Sequence, residues 1–124
     1  MIIQVAKQYL HYLERGSIQE VVDLFSEDGV VHSPIYGTLS AKTFYKLLSD
    51  DTQASKLELK DIFETSNSKT LALYFNYIWT LKNGDLVNFD VVDIIKFNEQ
   101  HKIIDLKIIY DTQHSRKAIE MLNS

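Results

Sequence analysis

Leu86-Val87-Asn88-Phe89-Asp90-Val91-Val92-Asp93-Ile94-Ile95-Lys96-Phe97 is the stretch whose reading decides how this chain folds. Successive residues of a strand face opposite sides of a sheet. Val87, Phe89, Val91, Ile95 and Phe97 then share one face, and Asp93 sits among them. A carboxylate buried on such a face costs roughly several kcal/mol unless it is hydrogen-bonded, paired or protonated. Asp93 is therefore a candidate for a raised pKa and a chemical role.

The preceding stretch, Thr70–Leu81, alternates in the same way, with Phe75, Tyr77, Trp79 and Leu81 in phase. A two-residue Asn83-Gly84 loop would pair odd positions with even ones. A three-residue loop, Lys82-Asn83-Gly84 with a left-handed Gly84, pairs odd with odd and joins the two apolar faces. Further strands are expected over 57–65 and 102–110. A four-residue turn at 98–101 pairs Phe97 with Lys102, turns Ile104, Leu106, Ile108 and Tyr110 inward, and sets Asp93 opposite Leu106. The other face of the sheet carries Tyr74, Ile78, Val92, Ile94 and Ile109. A solvated face is more polar than this, so a homodimer through the outer sheet face is expected.

Before the strands the pattern is helical. Ile3, Ala6, Tyr9, Leu10 and Leu13 repeat at helical spacing over 2–15, and Gly16 suits the left-handed position that ends a helix. Ser17 and Glu20 read as a capping box opening a second helix, with Ile18, Val21, Val22 and Phe25 on one side. Gly29 ends that unit, and Val30–Pro34 is extended, since Pro34 restricts Ser33. Ser40 caps a third helix over 41–49 with Phe44, Leu47 and Leu48 inward, and Asp111 or Thr112 opens a short final helix to Leu122. Helices first and then an antiparallel meander is an α+β layout.

The 124 residues fit one domain spanning 1–124. With 45% hydrophobic residues the chain can build a core, and a net charge of −4 argues against nucleic acid. No cysteine is present, so disulfide, thiol and thiolate-metal chemistry are out. His11, His32, His101 and His114 are scattered without ligand spacing, so no metal is expected. There is no phosphate-binding glycine loop, no membrane span and no signal-peptide pattern, so a cytoplasmic protein without a cofactor is expected.

Three stretches carry a family resemblance. They are Tyr9–Ser17 with Leu24–Gly29, Val31-His32-Ser33-Pro34 with Gly37, and Val92–Asn98 with Lys102-Ile103-Ile104. The pattern resembles the nuclear transport factor 2-like superfamily, which includes ketosteroid isomerases and SnoaL-like polyketide cyclases. The resemblance implies a cone: three N-terminal helices packed in a strongly curved antiparallel sheet, with a small-molecule pocket at the open end. It also implies roles. In ketosteroid isomerases a helix tyrosine and a protonated sheet aspartic acid form an oxyanion hole, and an aspartate just before a proline is the base. Tyr9 and Asp93 fall at the first two positions, and the base position is Ser33.

The resemblance thus implies a hydrophobic pocket for a small carbonyl compound and isomerase- or cyclase-like proton transfer, with Asp93 and Tyr9 as catalytic candidates. Ser33, Phe44, Leu48, Trp79 and Phe89 are the expected pocket wall. His32, beside the vacant base position, is a possible base by its titration near neutrality, although strand alternation points it away from Ser33. The alternative is a binding or dimerisation module that turns nothing over. Asp61 shares a strand face with Leu57, Leu59 and Phe63, and an edge salt bridge is its expected role.

Overall fold

A computed structural model of the chain describes residues 1–123. Its elements are α1 (Ile2–Arg15), α2 (Ile18–Asp23), β1 (Phe25–Ser33), β2 (Gly37–Ser40), α3 (Ala41–Asp51), β3 (Thr52–Glu64), β4 (Thr70–Leu81), β5 (Leu86–Phe97), β6 (Ile103–Ile109) and α4 (Gln113–Leu122). The six strands form one sheet in the order β2-β1-β6-β5-β4-β3. Only β1 and β6 run parallel; the other neighbours are antiparallel. The sheet is curved and does not close. Bulges in β3, at Thr52/Ala54 and Leu59/Asp61, and in β6, where Ile104 falls between the partners of Lys96 and Phe97, supply local bending.

The long hairpin folds as its residue pattern requires. Leu81 donates its amide to Asp85 O at 2.9 Å, and Gly84 lies at φ 91°, closing a three-residue loop. Trp79 then pairs with Val87, Tyr77 with Phe89, Phe75 with Val91 and Leu73 with Asp93. Residues of β4 alternate strictly between buried and half-buried.

The next pairing is shifted by one residue at the turn and by a second at a bulge. Asn98 donates to Lys102 O at 2.9 Å, and His101 takes a left-handed φ of 61°, so the loop is 99–101. Phe97 pairs with Ile103, and after the bulge Lys96 pairs with Asp105. Asp93 therefore faces Ile108, not Leu106. Ile103 is buried in place of Ile104, which is 40% exposed.

The helices lie against the concave face. Ile2, Ala6, Tyr9, Leu10 and Leu13 are the buried stripe of α1, with Ile2 taking the place expected of Ile3. Gly16, at φ 71°, ends α1 while the Ser17 amide reaches Tyr12 O at 2.9 Å. Ser17 precedes α2, but its side chain makes no cap bond, so the expected capping box does not form. In α3, Ser40 does cap, accepting from the Thr43 amide at 3.3 Å. Tyr45 is buried in α3 and Leu47 is 40% exposed, the reverse of the expected packing.

Phe25 belongs to β1 rather than α2, and Gly29 lies inside β1 instead of ending the helical unit. A Cβ on Gly29 would come within 2.9 Å of Ile103 O, so the close approach of β1 to β6 requires a residue without one. Strand β2 lies in a stretch whose sequence pattern marks no strand, and β3 begins at Thr52, ahead of the expected Leu57. Among the described residues, no helix is long and apolar enough to cross a membrane.

Candidate active site

Strand β5 puts Asp93 on the concave face, where it is 1% exposed. Its Oδ1 has no hydrogen-bond partner among the described residues. Its neighbours across the sheet, Leu73 and Ile108, offer no polar side chain. Burial holds the Asp93 carboxyl well above the usual carboxylate range, because the charged form loses its water and gains no partner. This environment favours the acid form, which has an O–H to donate.

Helix α1 carries Tyr9 to the same cavity wall, 2% exposed. Its hydroxyl lies 2.6 Å from that of Tyr45 on α3, and either can donate. When Tyr45 donates, the Tyr9 proton is left for the cavity. The Tyr9 phenol is held well above its ordinary pKa, chiefly by burial and then by Tyr45 and Asp93. Tyr45 is raised in the same direction by burial. Both phenols therefore stay protonated at neutral pH, and the interior of the site is built from hydrogen-bond donors.

Asp93 and Tyr9 line a cavity of about 40 Å³. Ser33, Phe44, Leu48, Trp79 and Phe89 line it too, together with Tyr36, Tyr77 and Tyr110. One water needs about 10–15 Å³ by this measure, and ligand pockets run to about 300–1,000 Å³. The space holds a small polar group or a few waters. Trp79 is fixed by donating Nε1–H to Thr52 Oγ1 at 2.7 Å. On the wall nearer solvent, Tyr77, Phe89 and Tyr110 form a ring stack, with centroids 5.3 Å apart for the first pair and 4.5 Å for the second. Burial pushes the Tyr77 and Tyr110 phenols up to about 12.

The position before Pro34 is occupied in a way that removes it from proton abstraction. Ser33 Oγ accepts from the amides of Ile35 at 3.1 Å and Tyr36 at 3.0 Å, which shapes the turn between β1 and β2. Tyr36, delivered by that turn, donates its hydroxyl to Asp51 Oδ2 at 2.5 Å. Burial, followed by this bond, raises its phenol.

His32 lies outside the cavity. It projects from the opposite face of β1, with Nε2 2.8 Å from Asp105 Oδ2 and Nδ1 3.0 Å from Thr38 Oγ1. Asp61 is exposed and accepts from the Ile62 amide at 2.8 Å rather than holding an edge salt bridge. Of the other polar groups of the site, the sequence pattern turns Tyr77 and Tyr110 inward without assigning them to the pocket, and does not single out Tyr36 or Tyr45. The even spacing of aromatic residues on β4 is the available signal for Tyr77. Nothing local marks Tyr45, whose partner is 36 residues away. Among the described residues, no group of three or more His, Cys, Asp or Glu is placed to hold a metal ion.

No family model matches the chain. No curated protein matches it either. Solved structures do. BvnE pinacolase from Penicillium brevicompactum superposes with a TM-score of 0.82 at 17% identity, covering 98% of this chain and 90% of that one. A Delta 5-3-ketosteroid isomerase from Mycobacterium sp. gives 0.77 at 14% identity, over 90% of this chain and 93% of that one. A nuclear transport factor 2-like protein of unknown function from Exiguobacterium sp. 255-15 gives 0.70 at 14% identity, over 90% and 98%. The chain has the nuclear transport factor 2-like fold. At such identities the likeness concerns the fold alone. Within the nuclear transport factor 2-like cone, Asp93 lies on the concave face of the sheet and Tyr9 on the first helix packed into it.

Proposed function

We propose that this protein is a cofactor-independent enzyme that holds a small carbonyl compound against Asp93 and carries out isomerase- or cyclase-like proton transfer. The observation that carries this reading is the buried Asp93 Oδ1, which has no partner among the described residues and belongs to a side chain lining a cavity. Protonated Asp93 donates to the carbonyl oxygen as negative charge develops there, while the α-proton is taken up by solvent, no described side chain of the site being placed as a base. Tyr9, backed by Tyr45, supplies the second donor. Aromatic rings exclude water and strengthen both hydrogen bonds.

The similarity in fold to a ketosteroid isomerase and a pinacolase supports this class of chemistry. The test is exchange of α-protons for deuterium in acetone and other small enolisable ketones, followed by NMR. The intact protein should accelerate exchange, and Asp93→Leu, which has a similar shape and no donor, should slow it about 10²–10³-fold, as loss of an oxyanion donor does. Equal rates in the two proteins would refute the assignment.

The second reading is a binding module without turnover. It is favoured by Ser33, whose oxygen accepts from two backbone amides where a base would have to stand free. Saturable binding of the same ketones with no exchange would select it.

We also propose that the outer sheet face pairs with a second copy of the chain. Tyr74, Ile78, Val92 and Ile94 are half-buried there and Ile109 is 47% exposed, an apolar set on a face without helices. Sedimentation should give a dimer, and Ile109→Glu should dissociate it; a wild-type monomer at high concentration would rule it out.

A further inference from the structure

Strand β3 stands at the end of the sheet order, and no strand among the described residues pairs with its outer side. Its two bulges leave a regular run between them, from Ala54 opposite Thr80 to Leu59 opposite Phe75. In the middle of this run the Leu57 amide turns away from β4 and donates to Glu14 Oε2 of α1 at 2.8 Å. Backbone direction alternates along a strand, so Ser55 and Leu59 turn their amides and carbonyls to the same open side. Beyond the second bulge the edge is closed locally, where the Ile62 amide donates to Asp61 Oδ1 at 2.8 Å. The Leu57 amide is held instead by a side chain 43 residues away, on another element.

Helix α1 borders this open run. Lys7, Leu10, His11 and Glu14 follow helical spacing along one flank, and with Leu57 and Leu59 they line a groove of about 150 Å³. Leu57 is half-buried and Leu59 is 41% exposed, so apolar surface is left open beside unpaired backbone. An added strand would bury the first and pair the second. The groove also differs in charge from the chain as a whole, whose net charge is −4. Lys7 brings a cation with no ion-pair partner among the described residues. The one carboxylate lining the groove, Glu14, is already engaged by the Leu57 amide.

We propose that the groove between α1 and β3 is a strand-addition site for an extended acidic peptide, with Glu14 standing in for the peptide's backbone acceptor until one arrives. Main-chain bonds to Ser55, Leu57 and Leu59 hold the peptide, and its groove-facing side chains decide which peptide is taken. An apolar residue covers Leu10, Leu57 and Leu59, and a flanking carboxylate meets Lys7 and His11. Entry requires only that the exposed Glu14 side chain leave one amide, whose bond the peptide carbonyl then replaces.

The test is an NMR titration of the intact protein with acetyl-Thr-Glu-Thr-Val-Thr-Glu-Thr-amide, which sets Glu, Val and Glu on one face of a strand. The amides of Ser55, Leu57 and Leu59 should shift together with those of residues 7–14. Glu14→Ala frees the Leu57 amide at an exposed position and should tighten binding about fivefold, the worth of one hydrogen bond. Lys7→Glu should weaken it about threefold, as an exposed ion pair does. The same peptide carrying N-methyl-valine lacks the central donor and should bind about fivefold more weakly.

Equal binding of the N-methylated peptide, equal binding of a peptide with lysine in place of glutamate, or no shift in β3 of the Glu14→Ala protein would overturn the proposal. Shifts of Ser55–Leu59 that depend on protein concentration without peptide would give the edge to a second copy of the chain, and would overturn it too.

Discussion

Two aspartates stand on neighbouring strands of one sheet under opposite conditions. Asp105 projects from the convex face of β6, about a third exposed, and meets His32 at 2.8 Å. Asp93 projects from the concave face of β5, buried, and its Oδ1 has no partner among the described residues. The same sheet therefore satisfies one carboxylate with a cation-forming neighbour and surrounds the other with apolar side chains. A structural acid is normally treated like Asp105, since an unpaired buried carboxyl destabilises the fold. Asp93 instead has the environment of a group kept neutral and ready to donate.

The largest expected effect contrasts the two faces. Phe75, 2% exposed beside the cavity, should cost about 3–5 kcal/mol when cut to alanine, whereas Ile109→Ala on the outer face of the monomer should cost about 0.5 kcal/mol or less. Urea melts of both variants, at dilutions where sedimentation shows a monomer, measure this. Comparable losses would mean that the outer face is packed as tightly as the inner one.

The next effect is a pH dependence specific to Asp93. Its carboxyl is raised in the folded chain and ordinary in the unfolded one. From about pH 4 upward the unfolded chain therefore sheds this proton more readily, and stability falls until the folded carboxyl also ionises. Asp93→Asn lacks this contribution. Its melting temperature should exceed that of the wild type by several degrees at pH 8, and the two should converge near pH 4. A variant less stable at both pH values would indicate a satisfied structural carboxylate.

Smaller effects come from the rim. Ser33→Ala removes the acceptor for two turn amides and should cost about 1 kcal/mol, with Tyr36 losing order in NMR relaxation. Asp105→Asn breaks a partly solvated pair with His32 and should cost no more than about 1 kcal/mol, less in high salt. A loss above that would make the convex pair as consequential as the concave acid and erase the contrast.

Much of this arrangement is legible in the chain. Strict alternation over 70–81 and 86–97 defines both strands, and Lys82-Asn83-Gly84 sets their register through a left-handed glycine. The face that carries Asp93 follows directly. Less legible is whatever depends on a non-glycine residue adopting φ > 0 or on distant partners. His101 at φ 61° shortens the 98–101 turn by one residue and, with the bulge, shifts β6 against β5, and nothing in Glu99-Gln100-His101 announces it. Strand β2 is four residues long and pairs only with β1, so its local pattern is too short to register. Tyr45 is hidden because helical spacing admits Leu47 equally well, and the choice is made by the Tyr9 hydroxyl from another helix.

The most direct test is the pKa of Asp93, read from the carbon-13 shift of its labelled carboxyl carbon between pH 3 and 10. A carboxyl that stays protonated through neutrality, while the exposed carboxyls in the same spectrum ionise at lower pH, is the expected result. A carbon that titrates near ~4 would show a solvated or paired carboxylate, and the donor role of Asp93 would be contradicted.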